Sequence, residues 1–385
     1  MTNFPKSIVF ITFLLNLSNS YSSLSSLQDR AADKTLEALL SQTSRKELSS
    51  VISSMPEKVQ QRLKGKVLVK YKDAIDKALP TSFKELKGHT KAINSVAFSP
   101  CGNFALTGSD DKTARLWNLV TGATIRELKG HTYSVGSVAF SPCGKYALTG
   151  SNDRTARLWN LATGTTIKEL KGHTDRLTSV ALSPCGKCAL TASGANTVYL
   201  QDLTAGTTIK ELKGHTYWVT SVTFSPCGEY ALTGSIDETA RLWNLATGTT
   251  IKEFKGHINQ VRSVAFSPCG KYALTGSIDE TARLWNLATG TTIKELRGHT
   301  NLVASVAFSP CGNYALTGSD DNTVRLWHLA TGTAIKELKD PGSSVAFSPC
   351  GKYVLTASID NTARLWLLPQ LKTLNLEQLL FVLTS

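Results

Sequence analysis

The sequence is poor in cysteine and lacks any long hydrophobic run, and each scarcity excludes a class of protein. Eight cysteines in 385 residues are too few for a disulfide-stapled scaffold. No apolar run reaches the roughly 20 residues that a membrane-spanning helix needs, so we expect no membrane span in the mature chain. The sequence also has no P-loop, dinucleotide-binding glycine motif, nucleophile elbow or HExxH zinc motif. We therefore expect no catalytic residue, no metal and no cofactor.

Acidic residues are outnumbered: 29 Asp and Glu stand against 42 Lys and Arg, which gives a net charge of +13. Such a balance permits contact with nucleic acid, an anionic membrane or an acidic partner. Residues 1–80 hold 12 basic and 7 acidic residues, so about +8 is spread over the nearly 300 residues that follow. A field this diffuse favours none of these partners. With 41% hydrophobic and 18% charged residues, the composition is that of a soluble globular protein.

The N-terminus has the pattern of a secretory signal. Lys6 precedes an apolar run from Ile8 to Leu15, and the small residues Ser18 and Ser20 follow at the spacing that a signal peptidase reads. Residues 1–23 are therefore predicted to be a signal peptide and the protein to be exported. The alternative is a cytoplasmic chain whose first residues pack locally.

Two segments that flank the centre of the chain predict helices. Residues 24–80 have leucines at helical spacing and a capping box at residues 44–47, which indicates a small helical segment. Within it, residues 55–59 resemble the start of an F-box, although a plain helical spacer is the alternative. Residues 368–385 form a C-terminal tail, for which a helix is predicted by Leu376, Leu379, Leu380 and Leu383.

Internal repetition dominates everything between these segments. Ser-Pro-Cys-Gly occurs seven times, and a tryptophan recurs in every unit except the third, which has Gln201. Gly-His recurs every 42 residues until the seventh unit, where Asp340-Pro341 replaces it. The histidines of the six Gly-His pairs are His89, His131, His173, His215, His257 and His299.

Each unit reads as four short strands. In the first unit these are Ile93–Phe98, Phe104–Ser109, Ala114–Leu119 and Thr124–Leu128, separated by turn residues such as Ser-Pro-Cys-Gly at 99–102. One four-stranded sheet of this size cannot bury both of its faces, so the units are expected to stack on one another.

The unit resembles the repeat of the WD40 family. The family pattern of Gly-His, a Ser-Pro-Asp-Gly-like turn, Gly-Ser-x-Asp-x-Thr and Trp-Asp corresponds here to Gly88-His89, Ser99 to Gly102, Gly108 to Thr113, and Trp117-Asn118. The resemblance covers residues 81–367. It implies a β-propeller, which removes exposed sheet edges by closing a ring of blades.

Counting strands predicts how the ring closes. Seven units supply the first three strands, but only six are followed by a fourth, and one extra strand at 82–86 precedes the first Gly-His. That strand is expected to complete the last unit. The predicted fold class is thus mainly β: a seven-bladed WD40 β-propeller closed by an N-terminal strand, with a small N-terminal helical segment and a C-terminal helix.

The resemblance also implies a structural hydrogen-bond network in most blades, formed by a His, a Thr, an Asp and a Trp. Catalysis by the His and Asp is the alternative, but a catalytic pair needs to occur only once and this one occurs five times. Blade three has Ala195 and Gln201 in this pattern and blade seven lacks the histidine, so we expect these two blades to be the loosest. The predicted network residues are His89, Thr107, Asp111, Trp117, His131, Thr149, Asp153, Trp159, His215, Thr233, Asp237, Trp243, His257, Thr275, Asp279, Trp285, His299, Thr317, Asp321 and Trp327.

The units differ from one another mainly after Gly-His and beside the turn Asp. The resemblance implies that both sets of residues project from the top face of the propeller, where variation indicates recognition and where drift at tolerant loops is the alternative. Tyr133, Tyr217 and Trp218 are the predicted anchors, because aromatic residues dominate interface energetics. The predicted partner-binding residues are Lys91, Asn94, Lys112, Tyr133, Arg154, Asp175, Arg176, Tyr217, Trp218, Glu238, Asn259, Arg262, Glu280, Asn301 and Asp320.

The seven turn cysteines are interpreted as copied turn residues, because consecutive blades hold them too far apart for a disulfide. Cys185 and Cys188 form the one C-x-x-C, but further zinc ligands are missing. Free thiols fit a reducing compartment, whereas the N-terminus predicts export, and both compartments stay open.

These observations favour a non-enzymatic scaffold that binds a protein or peptide on its top face, as a monomer or within a hetero-complex. One alternative is an adaptor whose N-terminal helices recruit a second machine. Another is a basic propeller associated with nucleic acid, which is less favoured because most of the Lys-rich fourth strands carry no aromatic residue on which a base would stack.

Overall fold

The computed structural model describes residues 83–368, which form 28 strands in seven four-stranded antiparallel sheets. The predicted signal peptide, the helical segment at 24–80 and the C-terminal helix lie outside the described residues. The prediction of seven blades is confirmed. No helix within residues 83–368 is long and apolar enough to cross a membrane.

Each blade contributes one strand to each of four concentric layers. The innermost strands are β2 (Ile93–Phe98), β6 (Val135–Phe140), β10 (Leu177–Leu182), β14 (Val219–Phe224), β18 (Val261–Phe266), β22 (Val303–Phe308) and β26 (Gly342–Phe347). The second strands are β3 (Phe104–Ser109), β7 (Tyr146–Ser151), β11 (Cys188–Ser193), β15 (Tyr230–Ser235), β19 (Tyr272–Ser277), β23 (Tyr314–Ser319) and β27 (Tyr353–Ser358). The third strands are β4 (Ala114–Asn118), β8 (Ala156–Asn160), β12 (Val198–Asp202), β16 (Ala240–Asn244), β20 (Ala282–Asn286), β24 (Thr323–His328) and β28 (Thr362–Leu367). The outermost strands are β5 (Thr124–Leu128), β9 (Thr166–Leu170), β13 (Thr208–Leu212), β17 (Thr250–Phe254), β21 (Thr292–Leu296), β25 (Thr333–Lys339) and β1 (Phe83–Lys87).

The ring closes where the first strand joins the last blade. Strand β1 pairs antiparallel with β28, and Phe83 lies opposite Trp366 in the register. The innermost strands β2 and β26 also lie next to each other, which brings blade one against blade seven. The closing strand is therefore the one expected, although it runs from Phe83 to Lys87 rather than over 82–86.

The hydrophobic core lies between neighbouring blades rather than inside one sheet. Leu116 and Leu128 of blade one pack in one cluster with Val135 and Trp159 of blade two. The tryptophans of the third strands, such as Trp117, are fully buried in these layers. Each blade thus hides its apolar face only against the next one, and a single blade has no core of its own.

A ring of hydrogen bonds joins the innermost strands. Ser95 Oγ accepts a hydrogen bond from the backbone N–H of Val138 in the next blade at 3.2 Å. The same bond recurs between all successive blades at 3.0 to 3.3 Å, and Val96 N–H to Ser344 Oγ completes the circle. The serine of the Ser-Val pair in each innermost strand therefore links neighbouring blades.

The outermost lysines also join blades. The ammonium group of Lys84 donates to the backbone oxygen of Val120 at 2.5 Å, and Lys252 donates to Ala288 at 3.0 Å. Lysine alternates with glutamate along these strands, which protects exposed strand edges from pairing with other sheets. Lys84 and Lys252 additionally hold the neighbouring blade, because a long flexible side chain reaches the loop beside it.

The Ser-Pro-Cys-Gly turns all lie at the ends of the strands where the innermost strand leads into the second. In blade one, Gly102 has a φ of +76°, which favours glycine, and its N–H donates to the Ser99 oxygen at 2.9 Å. The turns of successive blades form one side of the disc, which we call the lower face. The turn cysteine of blade one, Cys101, is a free and exposed thiol.

Candidate binding face

Two loops of each blade come together on the side opposite the cysteine turns. In blade one, the turn that follows β3 and the loop that precedes β2 are joined by the Asp110 N–H donating to the Ala92 oxygen at 3.0 Å. Ser109 Oγ donates to the Lys91 oxygen at 3.1 Å and fixes the same two segments. We call the surface that these loops form in all blades the upper face.

A buried hydrogen-bond chain supports the upper face from below. In blade one, Trp117 Nε1 donates to Thr107 Oγ1 at 2.9 Å, and Thr107 lies 2.7 Å from His89 Nε2. His89 Nδ1 lies 2.7 Å from Asp111 Oδ2. Because the Asp111 carboxylate can only accept, the imidazole carries its proton on Nδ1 and donates to the carboxylate, and Nε2 of the neutral ring accepts the Thr107 hydroxyl proton.

The same chain is present in five blades, which are blades one, two, four, five and six. The His–Asp distance is 2.7 Å in each of them. Burial acts to raise the pKa of Asp321, but hydrogen bonds from Thr323 and His299 outweigh it and lower that pKa to about 2. Burial also lowers the pKa of His299, so the pair consists of a neutral imidazole and a carboxylate. These hydrogen bonds pair the buried polar groups of each blade and make the loops that they join rigid.

Blade three lacks this chain, as expected from Ala195 and Gln201. His173 Nε2 still lies 2.8 Å from Thr191 Oγ1, but the Thr hydroxyl donates to Gln201 Oε1 at 3.1 Å. His173 Nδ1 is buried and has no hydrogen-bond partner among the described residues. Burial lowers the pKa of His173 to about 4. Tyr199 stacks on the imidazole with ring centroids 4.5 Å apart.

Blade seven differs from the expectation, because a carboxylate fills the place of the missing histidine. Asp340 is fully buried and accepts hydrogen bonds from Thr356 Oγ1 and, at 3.1 Å, from Trp366 Nε1. Its other oxygen accepts from the Arg364 guanidinium at 2.8 Å. Burial raises the pKa of Asp340 in spite of these bonds. The blade therefore has a closed polar network of its own.

The three predicted aromatic anchors lie on the upper face. Tyr133 is 62% exposed and Tyr217 is 61% exposed. Trp218 is covered on one side by the guanidinium of Arg176, which lies 4.7 Å from the ring centroid. Lys112 approaches the ring of Tyr133 to 5.9 Å. These side chains present large apolar areas to solvent next to charged groups.

Four of the predicted charged residues occupy one equivalent turn position with a left-handed backbone. Their φ values lie between +64° and +72°. Blades three, six and seven have asparagine there, which tolerates this conformation better than a long side chain does. The four residues are Lys112, Arg154, Glu238 and Glu280.

The remaining predicted residues also lie in the upper-face loops or at the adjoining ends of the innermost strands. Asn94 donates to Asp110 Oδ1 at 2.7 Å, and Asn259 and Asn301 each cap the N–H of the next residue at 2.8 Å. These three amides are thus held within the protein. Lys91, Asp175, Arg262 and Asp320 complete the set.

The repeats and the ring identify the family. A profile of the WD40 family (WD domain, G-beta repeat) matches more than half of the chain, at residues 80–118, 122–160, 164–202, 206–244, 248–286, 290–328 and 336–366. The chain belongs to the WD40 family.

Similarity to individual WD40 relatives is confined to short stretches. The chain is 50% identical to Protein Mut11 of Chlamydomonas reinhardtii over 40 residues, which are 10% of this chain and 11% of that protein. It is 44% identical to the Ribosome biogenesis protein BOP1 homologs of Drosophila willistoni and Drosophila melanogaster over 39 residues, 10% of this chain and 5% of each relative. A match over about one repeat shows the WD40 repeat and gives no information about a shared function.

The predicted binding residues of this WD40 propeller leave out two exposed apolar residues of the upper face. Ile258 is 81% exposed beside His257, where most blades have threonine, and Ile359 is 67% exposed beside Asp360. An isoleucine at a loop position is the signal that would have found them. No cluster of three or more potential metal ligands occurs among residues 83–368.

Proposed function

We propose that the chain is a non-enzymatic scaffold that binds a protein or peptide partner on the upper face. WD40 propellers generally serve as protein-interaction scaffolds. The observation that carries the proposal is the group of exposed aromatic side chains on one face, with Tyr217 and Trp218 adjacent in sequence and both accessible. Large exposed aromatic residues of this kind are typical of interface hot spots.

The distribution of differences among the repeats supports this choice of face. Lower-face turns keep Ser-Pro-Cys-Gly in all seven blades, whereas the upper-face loops carry Tyr, Trp, Arg, Asp, Ile and Asn at equivalent positions. Both surfaces consist of exposed turns. If the differences came only from tolerance of loop positions to substitution, both surfaces would differ between blades. Variation concentrated on the upper face is typical of a recognition surface on a constant scaffold.

Charge on the upper face is unevenly distributed and defines the chemistry of the partner. On this face, blades one to three carry four cations (Lys91, Lys112, Arg154 and Arg176). They carry two acids outside the hydrogen-bond chains, Asp110 and Asp175. Blades four to six carry three acids (Glu238, Glu280 and Asp320) against one cation (Arg262). A partner with an acidic part over the first half and a basic part over the second half would match this polarity and be steered by it.

The test removes the aromatic anchors without touching the hydrogen-bond chains. In the full chain, Tyr217→Ala combined with Trp218→Ala is expected to abolish capture of partners in a quantitative pull-down, with an unchanged melting temperature. The matched control is Tyr146→Ala combined with Tyr272→Ala. These two tyrosines are also exposed, but they begin second strands on the lower face.

Only a loss specific to the upper-face variant supports the proposal. Equal capture by the Tyr217/Trp218 variant and the wild type, at equal melting temperature, would show that this face is not the binding surface. Loss in the Tyr146/Tyr272 variant instead would move the binding surface to the lower face.

Nucleic-acid binding is less supported by the charges at the rim. The cation that ends most outer strands pairs with the glutamate two residues before it, as in Lys129–Glu127 at 3.0 Å and Arg297–Glu295 at 2.9 Å. Alternating signs reduce the local density of positive charge that phosphates require. The adaptor hypothesis concerns residues 24–80, and expressing the chain with and without them would show whether they capture a separate partner.

We also propose export, on the basis of the apolar run Ile8 to Leu15. Mass spectrometry of the mature N-terminus tests this directly. Cleavage near Ser20 would support it, and an intact Met1 in the native host would contradict it.

A further inference from the structure

The five intact blades show in detail how this scaffold holds a carboxylate. In blade one, Asp111 Oδ2 lies 2.7 Å from His89 Nδ1 and accepts the N–H of Thr90 at 3.1 Å. Asp111 Oδ1 accepts the N–H of Thr113 at 3.0 Å and its hydroxyl at 2.7 Å. Four donors from two loops thus surround the two oxygens of one carboxylate.

Blade three keeps the residues that supply these donors but has no carboxylate. His173, Thr174 and Thr197 occupy the positions of His89, Thr90 and Thr113, while Ala195 replaces the aspartate. The backbone still follows the common path, since Ala195 N–H donates to Ser193 Oγ as the aspartates of the other blades do. In the described part of the chain, neither Thr197 nor the N–H of Thr174 has an acceptor in this place.

The unpaired imidazole is the strongest sign that something is missing. His173 is 92% buried, and its Nδ1 faces the position of the absent carboxylate with no hydrogen-bond partner among residues 83–368. Buried polar atoms in folded proteins are almost always paired, and an unpaired one is unfavourable. Blade three thus retains three donors, from Thr174 and Thr197, and an imidazole that becomes a fourth donor when its Nδ1 is protonated, around a position that an acceptor from outside the blade would fill.

The residues around this position differ from those of the other blades. Gly194 stands where other blades have Asp, Asn or Ile, and the side chains of Asp175 and Trp218 pack over it. A Cβ added there would lie 2.4 Å from Asp175 Oδ2 and 3.4 Å from Trp218. Thr174, on the other side of the position, is exposed. The vacated position therefore adjoins the exposed residues of the upper face.

We propose that the position left empty by Ala195 is a binding site for a carboxylate, which completes the polar network of blade three from outside. The ligand is a small free carboxylate or the side chain of an Asp or Glu presented by another molecule. Two carboxylate oxygens match the donors of Thr174, Thr197 and protonated His173, as the Asp111 oxygens match the equivalent donors of blade one. The site does not depend on the partner proposed above, since a small ion suffices to test it.

Binding is coupled to a proton. Because Thr191 donates to Gln201, the neutral His173 carries its proton on Nε2 and presents a lone pair at Nδ1. A carboxylate bound at Nδ1 stabilises the imidazolium, which donates from both nitrogens. The groups that face His173 are Tyr199, Thr191 and Gln201, with Asp175 and Arg176 further along its loop, and burial alone sets its titration in the free protein.

The test follows the titration of His173 by NMR in the full chain, in sodium acetate and in sodium chloride of equal ionic strength. Acetate is expected to raise the His173 pKa saturably by about one unit or more. Ala195→Asp fills the site from within and makes the titration insensitive to acetate, and it introduces the residue that six other blades already have. Ala195→Asn is the second blocking variant.

A second arm separates the two sources of the carboxylate. An N-acetylated, C-amidated Gly-Asp-Gly peptide is compared with the matching Gly-Asn-Gly peptide. A response to acetate and to the Asp peptide identifies a site for side-chain carboxylates, and a response to acetate alone identifies a site for small free ones. Identical titrations of His173 in acetate, chloride and both peptides would overturn the proposal.

Discussion

The aromatic ring of Phe83 packs against that of Trp366, with centroids 4.6 Å apart, and so joins the first described strand to the last blade. The Arg364 guanidinium lies 5.7 Å from the Phe83 ring on the same blade. Phe83 is nevertheless 49% exposed. The closure of the ring thus includes one half-covered aromatic contact beside the ladder between β1 and β28.

Replacing Phe83 with alanine is expected to lower the stability of the whole ring. The loss of the Phe83–Trp366 contact should reduce the free energy of unfolding by about 1–2 kcal/mol, since the ring is half exposed and its pairing with Trp366 adds about 0.5–1.5 kcal/mol. Urea denaturation measures the change. The control is Ile167→Ala, an outer-strand residue of similar exposure, 48%, that lies away from the closure. Equal losses in the two variants would contradict a special role for Phe83.

Much of this architecture was predictable from the chain because its signals are local and repeated. Four strands per unit follow from turn residues and alternating polarity, and the count of fourth strands identified β1 as the closing strand. The rest depends on contacts between blades. Ser95 and Lys84 bind atoms about 36 to 43 residues away, and a strict repeat gives no indication of which side chains face the next copy.

The site was predictable only in part for a related reason. Departures from the repeat identify Ala195 and Gln201, whereas the family pattern has a histidine at the place that Asp340 fills in blade seven. Asp340 accepts the hydrogen bond of Trp366 although it is a different residue type from the histidine of the other blades. The buried contacts in the structure show this replacement, whereas a sequence motif does not. The same limit hid the role of Gly194, whose importance lies in the side chains packed over it.

Asp153→Ala is expected to convert blade two into a copy of the defect in blade three. The substitution leaves His131 Nδ1 and two donors of Thr155 unpaired, so the free energy of unfolding should fall by about 2–3 kcal/mol. Chemical denaturation measures it. Asn152→Ala is the matched control at the neighbouring exposed turn position and should cost less than about 0.5 kcal/mol. A similar cost for both variants would mean that the network does not stabilise the blade.

Acidification from pH 6.5 to 4 is expected to destabilise the protein through His173. Its folded pKa of about 4 lies below the unfolded value of about 6.5, so in this window the unfolded chain binds more protons and stability falls as the pH falls. The full effect of this one group is about 3 kcal/mol at 1.36 kcal/mol per pKa unit. Urea midpoints at pH 7 and pH 4.5 measure it. Ala195→Asp, which gives His173 a carboxylate, should have a smaller loss; an unchanged loss would contradict the assignment.

Arg154→Asn is expected to stabilise the protein. Arg154 has a φ of +70°, and three other blades place asparagine at the equivalent turn position with φ values of +61° to +70°. Relief of the left-handed conformation should add about 0.5–1 kcal/mol to the free energy of unfolding. Thermal denaturation measures the gain. Arg157→Asn, at a neighbouring strand position with ordinary φ, is the control and should be destabilising because Arg157 pairs with Glu169 at 3.3 Å.

The two cysteines of blade three are expected to react at different rates although they share one turn. The hydrogen bond from Ser183, at 3.2 Å from the sulfur, lowers the pKa of the exposed Cys185, while burial raises the pKa of Cys188. Since Ser183 Oγ already accepts the Cys188 N–H at 2.9 Å, its own proton is directed at the Cys185 sulfur. Iodoacetamide at pH 7 should therefore label Cys185 about tenfold faster, because the thiolate is the nucleophile.

Peptide-level mass spectrometry over a time course gives both rates in one sample. Ser183→Ala removes the donor to Cys185 and should slow its labelling, while Ser141→Ala in blade two leaves Cys185 unchanged and slows Cys143 instead, whose sulfur lies 3.3 Å from that hydroxyl. Each variant thus serves as the control of the other. Equal labelling of Cys185 and Cys188 in the wild type, or no effect of Ser183→Ala, would show that the turn hydroxyl does not set the reactivity of these thiols.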